Sequence, residues 1–182
     1  MLDMHTELQP LVGQFAPSFV MDASGGQHVT LEQYRGRWLV LLFYPRDFTF
    51  ICPTELLAFS EAQPEFRALN AEVLAVSTDS AFVHDAWVAT PPEQGGVGPL
   101  TFPLAADVTH AVSRSYGVYD ARQGLSLRAI FIVDPEGRVQ YQVVHNLNVG
   151  RNVDEVLRVL AGMQTGGLCP VNWRPGQPLL PG

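Results

Sequence analysis

The run RWLVLLFY, Arg37 to Tyr44, constrains this chain more than any other feature. Its six apolar residues from Leu39 onward read as a buried strand by their length, far short of the ~20 residues that cross a bilayer. Cys52 stands eight residues beyond Tyr44, in FYPRDFTFICPTE, and Pro53 follows it. From about Pro53 to Leu69 the pattern predicts a helix, with apolar Leu56, Leu57, Phe59 and Phe66 and a kink at Pro64.

The alternation continues. Glu72 to Thr78 reads as a strand, and Ser80 to Ala89 as a helix with Ser80 as its N-cap. Pro91 to Pro99 is a loop by its Pro and Gly content. A short strand in TFPLAAD and a helix in VTHAVSRSYG follow, the helix ending at Gly117. RAIFIVD and RVQYQVVH form a hairpin around PEG, and NVDEVLRVLAGMQ is a helix capped by Asn152. From Thr165 the chain has no period and reads as an extended arm. This order predicts one α/β domain over residues 1–164, a mixed central sheet with helices on both faces, and a C-terminal arm over 165–182. Thioredoxin-like folds have this order, and so do others.

Charge and composition remove several function classes. The net charge is −7 and the basic residues are scattered, which argues against nucleic acid and against a polybasic membrane anchor. All 11 basic residues are arginine. Without lysine there is no Walker A loop and no pyridoxal Schiff base, and no cofactor is expected. Cys52 and Cys169 are the two cysteines, so a CxxC dithiol and a four-cysteine zinc site are both excluded. The five histidines show no HxxxH spacing, and no metal is expected. MLDMHTELQP has neither the basic nor the apolar region of a secretory signal, so a cytoplasmic location is expected.

Residue types alone leave Cys52 three readings: packing, half of a disulfide, or a nucleophile. A cysteine at a helix start, with Pro53 in the first helical position, has free N–H groups and the positive helix end to favour a thiolate. That end is worth about 0.3–1 kcal/mol, up to ~2 when partly buried. An arginine at ~4 Å with an effective dielectric of ~20 is worth about 4 kcal/mol. A guanidinium would therefore dominate; Arg46 is near in sequence, and Arg128 opens a later strand. Ionisation is not enough for fast chemistry, because taking any thiol from a few per cent to about 90% thiolate gains only ~30-fold. Donors aimed at developing charge add about 2.7–4 kcal/mol each. Thr49 offers a hydroxyl one helical turn before Cys52, and Pro45 adds no competing N–H.

PRDFTFIC, Pro45 to Cys52, resembles the PxxxTxxC signature of the peroxiredoxins, and FYPRDFTFICPTEL resembles their typical two-cysteine branch. GQFAPSF, HDAW (His84 to Trp87), RAIFIVD, NVGRNVDEVLR and GLCPVNWRPG fall in the family's order. The resemblance implies a thioredoxin-like peroxidase in which Cys52 attacks a peroxide and becomes a sulfenic acid. It implies that Thr49 hydrogen-bonds thiolate and peroxide, that Pro45 shields the site, and that Arg128 stabilises the thiolate with Glu55 orienting guanidinium groups. Arg151 matches a second arginine of the site region, and Trp87 is placed near the substrate. Cys169 matches the resolving cysteine, acting on a partner subunit. A thioredoxin-like or flavin-dependent disulfide reductase is implied as recycling partner. A homodimer is expected, with decamers common in the family, and RVQYQVVH could be the sheet edge that builds it.

Some features depart from the family pattern. GGVG, Gly95 to Gly98, resembles the loop of its oxidation-sensitive members, but no Tyr-Phe pair follows Cys169. Disulfide formation is therefore expected to outrun over-oxidation. Arg46 replaces a residue that is usually apolar or small. A redox relay or holdase chaperone is an alternative function, and a non-catalytic binding module a third.

Overall fold

The computed structural model describes residues 10–182, so the reading of the first nine residues lies outside the described residues. The strand read over Arg37 to Tyr44 lies inside a seven-stranded mixed sheet, with a neighbour on either side. In chain order the strands are β1 (Val20–Ala23), β2 (Gln27–Thr30), β3 (Trp38–Phe43), β4 (Ala71–Ser77), β5 (Leu104–Ala106), β8 (Arg128–Val133) and β9 (Val139–His145). β6 (Tyr119–Asp120) and β7 (Leu125–Ser126) make a separate two-stranded ribbon. The sheet order is β2-β1-β5-β4-β3-β8-β9. β3, β4 and β5 run parallel, while β1, β2, β8 and β9 pair antiparallel with their neighbours.

Alternation along β3 divides the core into two layers. Leu39, Leu41 and Phe43 face one side with Leu74, Val76, Phe131 and Tyr116. Val40, Leu42 and Tyr44 face the other with Leu56, Phe59, Trp87, Val156 and Leu160. The second layer is roofed by helices α1 (Ile51–Glu61), α3 (Ala81–Ala89) and α5 (Val153–Gln164); α4 (Ala111–Ser115) contributes Val112 to the first. This is the thioredoxin-like arrangement expected. Fully burying a side chain such as Leu56 or Phe59 contributes about 1.5–3 kcal/mol, which fixes α1 on the sheet.

Local chemistry explains the element ends. Ser80 accepts the N–H of Val83, and Asn152 accepts that of Glu155. Gly137, at φ 86, closes the β8–β9 turn by donating to the Asp134 carbonyl at 2.9 Å. Elsewhere the structure differs from the sequence pattern. The helix expected over Pro53 to Leu69 is two helices, α1 and α2 (Gln63–Ala68), broken at Ala62. Proline cannot donate to the carbonyl four residues back, so Pro64 restarts a helix as its second residue instead of kinking one. The β1–β2 hairpin, turning at Ser24–Gly26, has no counterpart in the pattern because four-residue strands carry almost no period.

The segment after Thr165 has no helix or strand but is not extended. It closes on itself through the Leu168–Leu180 bridge, and Trp173 is 4% exposed. The indole needs an apolar partner, and Gly162 of α5, having no side chain, lets both Trp173 and Cys169 pack against it.

Candidate active site

The site forms where β3 ends. The chain bends through Tyr44 to Phe50, with Phe48 in the left-handed region at φ 53, and enters α1. The helix begins at Ile51, so Cys52 is its second residue and Pro53 its third, two positions later than the sequence suggests. None of the first four helical N–H groups has a partner within the helix, so proline is tolerated there as well. Cys52 remains in the positive first turn.

Cys52 and Glu55, three residues apart, share a face of α1 and are buried, at 0% and 4% exposure. The antiparallel register sets Ala129 of β8 opposite Phe43, which brings Arg128 to the end of β3. Nη1 of Arg128 donates one hydrogen toward Cys52 Sγ at 3.4 Å and another to Glu55 Oε2 at 2.7 Å. Nε of Arg128 donates to the Leu147 carbonyl at 2.7 Å. Arg151, from the loop after β9, donates its backbone N–H and Nε to Glu55 Oε1 at 2.9 and 2.8 Å, and Nη2 to Oε2 at 2.9 Å. Its Nη1 reaches the Ala129 carbonyl at 2.8 Å and also the Phe43 carbonyl. Arg151 therefore ties α1 to the ends of both β3 and β8.

Burial would push the Glu55 carboxyl up, but the hydrogen bonds and charge of Arg151, joined by Arg128, outweigh it and hold the carboxyl below its ordinary value. Burial pulls the Arg151 guanidinium down, opposed by Glu55. Two guanidinium groups and one carboxylate leave a net positive charge against the sulfur of Cys52. That arrangement can stabilise negative charge developing beside the sulfur.

The other expected residues are placed less directly. Pro45 is buried in the bend, and Thr49 is half-buried. The Thr49 hydroxyl donates to the Arg46 carbonyl at 2.9 Å, which leaves its lone pairs free. Arg46 is exposed and enters no ion pair among the described residues, so the cation at Cys52 is Arg128. Trp87 is fully buried and so offers no surface to a substrate in this conformation. Its ring lies 6.0 Å from those of Tyr44 and Phe48, and Nε1 donates to the Gly95 carbonyl of the GGVG loop. It supports the bend from behind. Cys169 is half-buried beside α5, its Sγ 3.7 Å from the Gly162 carbonyl and 3.6 Å from the Thr165 hydroxyl; both thiols are free.

Sequence reasoning missed a second buried cluster under the bend. Asp47 accepts from the Tyr44 hydroxyl at 2.6 Å and meets Nδ1 of His84 at 2.7 Å. The available signal was a carboxylate inside an aromatic stretch and a histidine on the apolar face of α3.

The chain matches the AhpC/TSA family over residues 12–142 and the C-terminal domain of 1-Cys peroxiredoxin over 161–182. It is 52% identical over 174 residues to a Clostridium pasteurianum protein of a rubredoxin operon assigned to the peroxiredoxins, covering 93% of this chain and 98% of that one. It is 46% identical over 172 residues to Peroxiredoxin-2 of Mus musculus, covering 91% and 87%. The reduced 2-Cys peroxiredoxin of Plasmodium vivax superposes with a TM-score of 0.90 at 38% identity, over 94% of this chain and 93% of the other. Enterococcus faecalis AhpC superposes at 0.83 and 35% identity, over 89% and 100%. With a buried cysteine facing a guanidinium on this fold, and with these relatives, the chain belongs to the AhpC/TSA family and is a peroxiredoxin, a thiol peroxidase similar to the two-cysteine members.

Proposed function

We propose that Cys52 is the nucleophile that reduces hydrogen peroxide and organic hydroperoxides, and that Cys169 of a partner subunit resolves its oxidised form. The contact of Arg128 with Cys52 Sγ, with Glu55 clamping the guanidinium, carries this reading. The thiolate attacks one peroxide oxygen, the O–O bond breaks, and the leaving oxygen takes a proton as water or an alcohol. Cys52 becomes a sulfenic acid. Arg128 stabilises the charge on both oxygens, Arg151 and Glu55 hold it in place, and the Thr49 hydroxyl turns to the peroxide while Pro45 excludes water. The sulfenic acid then condenses with the Cys169 thiol, releasing water and forming a disulfide. Cys52 has no exposed surface, so the first turn of α1 must unwind for this step. A thioredoxin-like or flavin-dependent dithiol reductase reduces the disulfide and leaves both thiols free. The cytoplasm, where thiols are kept reduced, is the proposed location.

A single equivalent of hydrogen peroxide tests the two-cysteine cycle. On a non-reducing gel, wild type is expected to give a covalent dimer that Cys52→Ser and Cys169→Ser do not give. Cys169→Ser should instead hold a trappable sulfenic acid. That sulfenic acid without any wild-type dimer band would remove Cys169 from the cycle, and no oxidation at Cys52 would end the reading.

The dimer itself is proposed to form along β9. This strand is an edge of the sheet, with Val144 44% exposed; Val139 is paired with Gly13 and Gln14, and beyond it the outer backbone groups are open to a second copy among the described residues. Light scattering is expected to show at least a dimer; a monomer in both redox states would contradict it.

A further inference from the structure

The cluster beneath the bend has no part in the cycle above, yet its hydrogen-bond pattern allows one protonation count. Nε2 of His84 lies 3.2 Å from the Ala105 carbonyl, which can only accept, so Nε2 carries a hydrogen. Nδ1 lies 2.7 Å from Asp47 Oδ2. If Nδ1 were bare and Asp47 ionised, two lone pairs would face each other at that distance. The side chains of His84 and Asp47 are 0% and 1% exposed, so no solvent would relieve them. One proton therefore occupies the bridge, whether it rests on the imidazole or on the carboxyl. Asp79 stands close by, accepting the backbone N–H of Asp47 at 3.0 Å and the Ser77 hydroxyl at 2.6 Å. A second unneutralised carboxylate here would add like charge beside it. Burial also pushes the Asp47 carboxyl up, against the opposing bond and charge of His84.

The bridge reaches the reacting sulfur through the backbone. Asp47 lies between Pro45 and Thr49, five residues before Cys52. Its side chain ties the bend to Tyr44 and to His84 of α3, which in turn reaches Ala105 of β5. Phe48, the next residue, needs such a tether, since a bulky side chain at positive φ is held only where its surroundings over-determine it. We propose that Asp47 and His84 hold one proton between them and, as positioning residues, lock the Pro45–Thr49 bend in the conformation in which Cys52 meets peroxide. This rests on Cys52 as the nucleophile.

Asparagine at position 47 can reproduce the geometry without the shared proton. Its amide would donate to Nδ1 of a neutral His84, and its carbonyl would accept from Tyr44. Alanine would leave both partners unpaired. In a Cys169→Ser background, where stopped flow reads only the first step, D47A is expected to lower the second-order rate with hydrogen peroxide by about 10–100-fold. D47N should stay within about threefold of its parent. Spectra of 15N-labelled histidine at about pH 7 should show the strongly downfield proton of a carboxyl–imidazole bridge at His84 in wild type, replaced in D47N by an ordinary amide hydrogen bond to Nδ1. Unchanged kinetics in a folded D47A, a D47N as slow as D47A, or the absence of that bridging proton from wild type would each overturn the proposal. Should D47A fail to fold, the histidine spectrum and the D47N rate decide. A Cys52→Ser protein still consuming peroxide would fail the nucleophile reading, while the histidine spectrum still tests the bridge.

Discussion

Replacing Arg128 by methionine is expected to slow the reaction of Cys52 with peroxide by about 10²–10³-fold, the usual effect of removing one donor aimed at developing charge. Methionine keeps most of the volume, so the packing around Cys52 and Leu56 should survive. What disappears is the cation 3.4 Å from Sγ and the side chain that joins the sulfur to Glu55. A unit charge at ~4 Å, at an effective dielectric of ~20, is worth about 4 kcal/mol, or nearly three decades. Arg151 retains its pairing with Glu55, but that pair is neutral overall and cannot replace the lost charge. Lysine should restore only part of the rate. An ammonium lacks the fixed fork by which Arg128 meets Sγ, Glu55 and the Leu147 carbonyl together. Single-turnover stopped flow with hydrogen peroxide is the measurement. A methionine variant within about threefold of wild type would remove Arg128 from the chemistry.

The Glu55 carboxylate is expected to matter more to stability than to rate. It accepts four hydrogen bonds from Arg128 and Arg151, and all three side chains are at most 5% exposed. Removing one member of such a buried array leaves guanidinium charge uncompensated and typically costs about 3–5 kcal/mol. For a chain of this size, Glu55→Ala should lower Tm by about 6–20 °C. The pH dependence carries the sign. The folded carboxyl sits below its ordinary value, so it contributes stability that is complete above the unfolded pKa of about 4.3 and is lost as pH falls through the folded value. The gap in Tm between wild type and Glu55→Gln should therefore be widest near neutrality and narrow in acid. Thermal unfolding of both proteins from about pH 7 to about pH 3 checks this. A gap independent of pH would mean that shape, and not charge, sets the contribution of Glu55.

Both expectations depend on contacts that differ in how visible they were beforehand. The central strand, the helix caps at Ser80 and Asn152 and the β8–β9 turn follow from neighbours within four or five residues, and the structure has them where the residue pattern puts them. Where a local rule competed with a longer-range one, the reading changed. Pro64 was compatible with a kink or a break, and packing of α2 on β4 selected the break. The Thr165 arm has no period and reads as extended, yet Trp173 finds the bare face of Gly162 and folds the segment back.

The residue order carries the local half of the site. It sets a thiol in the first turn of a helix, a carboxylate three residues later on the same face, and a buried strand leading to both. These follow because helix and strand periods are short-range properties of the backbone. The packed fold selects which cation meets the sulfur. Arg46 is six residues from Cys52 and points to solvent, whereas Arg128 is brought in by the register of β3 with β8. It alone decided that Arg151 closes the clamp and that Asp47 meets His84 beneath the bend. Those pairings join segments dozens of residues apart. Their partners are chosen by strand order and by the need to satisfy every buried charge at once, which no local period encodes.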